Sequence, residues 1–231
     1  MKFFISDIHG EIDGLEMLLG HAEIDFTKDQ LILGGDYINR GKDSGKVIRR
    51  VRELTEAYPN NVIALIGNHE EMMWEYFRKG DTLWHSHGGR ETLKDFENSF
   101  SESEMEEYIE WVRNLPLVYK DDMFVYTHAG LNPFEPIEKQ SREILWMSEF
   151  DFYSISKDSL FNLTKSKPVV HGHTPVERIY YDGTRLNCDL GSNTYVIEEE
   201  RGLGLVNLTE MTYLVYRQSQ KKVEKREIIR F

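Results

Sequence analysis

The chain has 231 residues and a formal net charge of −12, with 40% hydrophobic, 29% charged and 12% aromatic residues. That length can bury a sizeable core in one domain. The acidic balance argues against non-specific nucleic-acid binding, because the phosphate backbone rewards Lys and Arg. No apolar run approaches the roughly 18 residues of a membrane span, and the strand pattern after Met1 leaves no basic leader with a cleavage site. The one cysteine, Cys188, excludes an intramolecular disulfide and suits a reducing, cytoplasmic setting. Within Leu186–Leu190 it reads as a small packed residue.

The first half alternates strand and helix. Apolar runs cover Lys2–Ser6, Gln30–Leu33 and Val62–Ile66, and helical periodicity covers Asp13–His21 and Ser44–Tyr58. This rhythm predicts a largely parallel sheet. From Glu71 to Trp111 the pattern changes to irregular helices broken at Gly80-Asp81. The expectation is a cap-like helical insertion over about residues 71–113, inside one domain spanning residues 1–231. Glu102–Arg113 reads as one acidic helix, with Pro116 after its end.

Strand-like runs resume at Met123–Thr127 and Pro168–Val170. The C-terminal third is strand-rich: Arg178–Tyr181, Arg185–Cys188, Thr194–Glu198, Leu203–Asn207, Met211–Arg217 and Lys222–Ile229. Turn signals at Asp182-Gly183 and Arg201-Gly202 predict antiparallel hairpins forming a second sheet, the last run being an edge strand. The fold class expected is α+β, with two packed mixed β-sheets flanked by helices.

Five of the strand-like runs end in residues that can ligate metals: Asp7-Ile8-His9, Gly35-Asp36, Gly67-Asn68-His69-Glu70, His128-Ala129-Gly130 and His171-Gly172-His173. Asp7 and His9 are two apart on an extended segment, so both point to one face. Two glycines before Asp36 permit close backbone approach, and its carboxylate can bridge two cations. Alone, each motif also reads as a turn, a cap or a hydrogen-bonded histidine. Together they describe mixed N and O ligation at strand ends, which suits Mn, Fe, Zn or Co better than Ca or Mg.

This ordered set, with Gly35–Gly41, Thr127–Gly130 and His171–Pro175 read in full, resembles the calcineurin-like metallophosphoesterases. The resemblance is to their phosphoprotein-phosphatase branch, above all the small bacterial and phage Ser/Thr phosphatases and the symmetrical dinucleoside tetraphosphatases. It runs from Asp7 to about Ser192, and Gly88–Thr92 and Leu145-Trp146 also look like family segments.

The resemblance implies two divalent metal ions, Mn foremost. Asp7, His9 and Asp36 would hold the first, and Asp36, Asn68, His128 and His173 the second. His171 competes with His173, which is preferred because the family ligand follows the glycine. A metal-bridging hydroxide would attack phosphorus in line. Arg40 would bind phosphate oxygens, and His69 would protonate the leaving oxygen.

Two positions depart from the pattern. Asn39 stands where the family usually has the Asp that orients and charges the histidine. Ser148 stands where it often has a phosphate-binding Arg, with Arg142 as a possible replacement. The activity expected is Ser/Thr-protein-phosphatase-like hydrolysis. The alternatives are symmetrical dinucleoside tetraphosphate hydrolysis, or weakly active metal and phosphate binding. The partner would be a phosphoprotein or a nucleotide polyphosphate, not nucleic acid or a membrane. A nucleotide would want aromatic stacking partners, for which Trp74, Trp84 and Tyr37 are candidates, although core packing is the commoner use of each.

Overall fold

Residues 1–231 are all described in a computed structural model. The short apolar strands β1 (Lys2–Ile5) and β2 (Gln30–Leu33) run parallel, with Lys2 opposite Gln30 and Ile5 opposite Leu33. Parallel neighbours require a crossover. Helix α1 (Ile12–His21) makes it, burying Leu15, Leu18 and Leu19 on one face. Helix α2 (Ser44–Ala57) makes the next crossover, to β3 (Val62–Ala64), which pairs parallel with β2.

Four helices follow: α3 (Asn68–Lys79), α4 (Leu83–Ser86), α5 (Gly89–Ser99) and α6 (Glu102–Arg113). The start of α6 is fixed by a reciprocal cap, in which Ser101 Oγ accepts from Glu104 N and Glu104 accepts from Ser101 N. Trp84, Phe96, Tyr108, Ile109 and Val112 from these helices share one buried cluster with Phe3, Ile5, Leu31 and Leu33.

The hairpin β4 (Val118–Lys120) and β5 (Val125–Thr127) begins the other sheet. Helices α7 (Glu149–Ser154) and α8 (Lys157–Thr164) lead to β6 (Val169–His171), parallel to β5. Next come β7 (Tyr180–Tyr181), β8 (Arg185–Asn187), β9 (Gly202–Asn207), β10 (Thr212–Arg217), β11 (Lys222–Glu227) and β12 (Ile229–Arg230). The sheet orders are β11-β10-β9-β1-β2-β3 and β12-β7-β8-β6-β5-β4. Both are mixed, helices flank them, and the fold is the expected α+β arrangement.

Three expectations need correction. The C-terminal hairpins do not form a second sheet by themselves. β9–β11 extend the first sheet, with β9 antiparallel to β1, while β7 and β8 belong to the other. An unpaired β1 would leave a row of backbone groups open, and β9 covers it. Thr194–Glu198 is no strand. The Tyr195 ring lies where a Cβ on Gly191 would be, 2.3 Å from its Cε2, and Arg201 donates to the carbonyls of Tyr195 and Val196. That packing curls the segment into turns. The last run is two edge strands, one in each sheet, separated at the buried Ile228.

The sheets meet through Phe4, Ile32, Val206 and Val215 on one side and Tyr126, Val170, Leu186 and Cys188 on the other. Cys188 is packed there, as its neighbours suggested. No helix is long and apolar enough to cross a membrane.

Candidate metal centre

The ligand-type residues sit just past the ends of β1, β2, β3, β5 and β6, or on the first residue of α3. Their backbone is unusual. Asp7, His9, Asp36, Asn39, Arg40 and His173 all have positive φ, between 47° and 72°. Non-glycine residues seldom adopt this region, and such strain gathers at functional sites. The surroundings hold it in place. His9 N donates to Asp36 O and Gly10 N to Tyr37 O, which zips the first turn to the second. Glu70, buried at the start of α3, accepts from the backbone N–H groups of Asp36, Tyr37, Ile38 and Gly67 at 2.9, 2.8, 3.3 and 2.9 Å.

Two groups of potential ligand atoms result, sharing Asp36: His9, Asp36 and His69, and Asp36, His128 and His173. His9 Nδ1 donates to Ile38 O at 2.9 Å, which leaves Nε2 with its lone pair 3.6 Å from Asp36 Oδ2. His128 Nδ1 donates to Gly34 O at 2.9 Å. Its Nε2 lies 3.0 Å from Asn68 Oδ1, 3.1 Å from His173 Nδ1 and 3.5 Å from Asp36 Oδ1. Asp7 adjoins this group, both carboxylate oxygens accepting from His173 N.

The donor set fits cations. With Asn68 Oδ1 inward, acceptor atoms face one another with no proton between them; with the amide turned over, its NH2 would donate to His128, His173 and Asp36. Backbone partners fix the ring tautomers of His9 and His128, as metal-binding histidines require. Burial, and after it the charge of Asp7, push the Asp36 carboxyl well up. Burial likewise pushes His9 and His69 well down, and brings His171 to about 4 and His173 to about 3. Crowded carboxylates and neutral imidazoles are what divalent ions stabilise.

His171 points elsewhere, its Nε2 lying 3.2 Å from Tyr153 Oη. His69 Nδ1 donates to Asn39 Oδ1 at 2.8 Å, and its Nε2 is 3.8 Å from Asp36 Oδ2. Arg40 is exposed, and its Nη1 donates to His9 Nε2 at 2.9 Å and to Thr194 Oγ1 at 2.5 Å. Arg142 is engaged differently. It pairs with buried Glu71 and donates to Arg113 O, so its guanidinium is not left free for an anion. Ser148 caps α7 by accepting from Asp151 N. Trp84 and Tyr37 are fully buried, and Arg113 lies over the Trp74 ring at 4.2 Å. None of the three aromatic candidates offers a free face.

The polar contacts of several neighbours escaped the sequence reading. Trp84 Nε1 donates to Asn39 Oδ1 at 2.9 Å, and Asn39 Nδ2 donates to Thr92 Oγ1 at 2.7 Å. Asn193 Nδ2 and Ser192 Oγ donate to the carbonyls of His9 and Ile8. Asp189 is a further buried carboxyl, raised by burial and by Asp7, that accepts from Gly191 N. Its position after β8, beside the strand carrying His171, was the available signal.

A two-sheet α+β sandwich with histidines, carboxylates and an asparagine gathered at one row of strand ends defines a class of hydrolase built around metal ions. The chain belongs to the calcineurin-like phosphoesterase family, whose model matches residues 3–202. It is a phosphoester hydrolase, of a family that works with a dinuclear metal centre. The chain is 29% identical over 202 residues to the symmetrical bis(5'-nucleosyl)-tetraphosphatase of Aliivibrio salmonicida, covering 78% of this chain and 68% of that protein. It is 32% identical over 165 residues to the protein of the same description from Photorhabdus laumondii, covering 69% and 56%. Among solved structures, a protein serine/threonine phosphatase from Saccharomyces cerevisiae superposes with a TM-score of 0.69 at 17% identity, covering 99% of this chain and 80% of that one. A cold-active protein-tyrosine phosphatase from a psychrophilic Shewanella does so with 0.61 at 16%, covering 98% and 80%. At such identities these likenesses concern the fold alone.

Proposed function

We propose that this chain is a two-metal hydrolase of dinucleoside polyphosphates that cleaves symmetrically. The observation that carries the metal reading is the shared Asp36, placed between two groups of ligand atoms. The substrate reading is supported by relatives described as symmetrical tetraphosphatases. It moves ahead of the phosphoprotein reading ranked first on sequence, since the phosphatase likenesses are structural only.

By the family's motif, Asp7, His9 and Asp36 would hold one ion, and Asp36, Asn68, His128 and His173 the other, while His69 is the residue whose ring nitrogen groups with His9 and Asp36 here. Bound there, divalent ions supply Lewis acidity, acidifying water and neutralising phosphoryl charge. Arg40 presents a planar fork of donors to phosphate oxygens. Asn39 fixes His69 Nδ1 as the donor to Oδ1, so Nε2 faces the leaving oxygen and would deliver a proton from the imidazolium, the form that burial disfavours. Asn39 is neutral and supports a protonated imidazole less than a carboxylate would. A departing nucleoside diphosphate is a far weaker base than a serine alkoxide and asks less of that acid.

The test is a panel of diadenosine tetraphosphate, a phosphoserine peptide and p-nitrophenyl phosphate, with and without Mn, with products separated. The expected result is ADP as the sole nucleotide product, dependent on metal. ATP with AMP, or turnover of the peptide but not the tetraphosphate, refutes the proposal.

A further inference from the structure

Arg40 faces two ways. One side is tied to the strand-end cluster through His9 and Thr194. The other lines a cavity of about 320 Å³, within the roughly 300–1,000 Å³ range of small-ligand sites. Gly10 and Gly41 form part of its wall. Neither has room for a side chain: a Cβ on Gly41 would lie 2.1 Å from His9 O, and one on Gly10 2.9 Å from Gly41 C. The cavity therefore adjoins His9 closely, with Gly10, Gly41, Arg40 and the Asn193 amide, which donates to His9 O, between them.

Lys42, Arg201 and Lys221 also line the cavity. Arg201 donates to the carbonyls of Tyr195 and Val196, and Lys42 reaches Asp43 only at 3.9 Å. Of the acids there, Glu11 accepts from Gly14 N and the Gln218 amide, neutral donors that leave its charge in place beside Asp13 and Glu198. In a chain of net charge −12, a cavity lined by four cations, Arg40, Lys42, Arg201 and Lys221, and three carboxylates, Glu11, Asp13 and Glu198, is a local reversal of sign. Beside Arg201 the loop exposes two apolar side chains, Val196 at 94% and Ile197 at 53%. Cations next to exposed apolar surface suit a ligand that is anionic at one end and flat and apolar at the other.

We propose that this cavity is the subsite for the nucleoside diphosphate half of the substrate that departs, Lys42, Arg201 and Lys221 holding its phosphates and Val196 and Ile197 covering its base. The proposal rests on the dinucleoside tetraphosphate reading above. In that reaction the oxygen of water bonds to one central phosphorus and the central bridging P–O bond breaks. The bridging oxygen leaves with the other half, taking a proton and becoming a second nucleoside diphosphate. A symmetrical cut demands a place for a leaving half as large as the half attacked.

The experiment compares the wild-type chain with the Lys42→Ala/Lys221→Ala double variant and with Glu198→Gln. It measures kcat/KM on diadenosine tetraphosphate and on p-nitrophenyl phosphate, and ADP and inorganic phosphate binding by calorimetry. Losing two charge-assisted contacts is expected to lower the ratio of the two kcat/KM values about tenfold or more in the double variant, chiefly through KM. ADP binding should weaken to match, with phosphate binding moving much less. Glu198→Gln should shift both in the opposite direction. An unchanged ratio with normal tetraphosphate turnover overturns the subsite and spares the reading beneath it. Wild-type protein that hydrolyses p-nitrophenyl phosphate but not the tetraphosphate overturns that reading. In that case the subsite for a departing half falls with it.

Discussion

Asn39 Oδ1 accepts from the His69 ring and the Trp84 indole, and Asn39 Nδ2 donates to Thr92, whose hydroxyl donates to Gly88 O. All its polar atoms are paired, so the amide fits as an amide. Asn39→Asp would add the charge that stabilises protonated His69, while Thr92 would have to turn its hydroxyl from Gly88 O to the new carboxylate. We predict that this variant raises kcat on a phosphoserine peptide by about tenfold or more, and on p-nitrophenyl phosphate by less than about threefold, because acid catalysis counts only when the leaving oxygen is basic. Equal gains on both substrates would point to metal affinity instead. The pairing of Asn39 with His69, 30 positions apart, was legible only through a family resemblance. Trp84 and Thr92 were not legible, because the cap sequence shows amphipathic helices and nothing of which polar atoms point inward.

At the turn between β4 and β5, Asp121 ties the two sheets together. Its carboxylate accepts from Met123 N, Phe124 N and Tyr126 Oη, and from Lys2 Nζ on β1 of the other sheet. Burial by itself would raise this carboxyl, but those partners outweigh it and hold it below its ordinary value. The folded pKa thus lies under the unfolded one, about 3.9. The stabilisation is fully present above pH 4 and is lost as pH falls through the folded value, because the unfolded chain takes up its proton first. Asp121→Asn should therefore be less stable than wild type by about 1 kcal/mol at pH 7, and the gap should narrow as pH falls below about 4, read from urea melts. A gap that persists in acid contradicts the assignment. The strands and helices of the first half were legible because each is a short apolar run or a clear 3.6-residue period. The placement of β9–β11 was not, since hairpin alternation says which face is buried and not which neighbour is paired. Thr194–Glu198 misled because its β-branched and aromatic residues favour a strand, while Tyr195 and Arg201 hold it as a turn.

Across the molecule, Phe4 sits fully buried where the sheets meet, among residues of both. Phe4→Ala should cost about 3–5 kcal/mol. If residues 1–231 are one domain, as the sequence suggests, near- and far-UV signals should melt together and shift together; separate transitions would divide the chain. The same sandwich brings five strand ends to one row, and the account depends most on what those ends hold. The most direct test is the number of Mn ions bound per chain, by calorimetry and metal analysis after dialysis. The account predicts two for the wild type, fewer than one for Asp36→Ala, which removes the shared carboxylate, and one for His173→Ala. A single ion in the wild type, or two retained without Asp36, would contradict it.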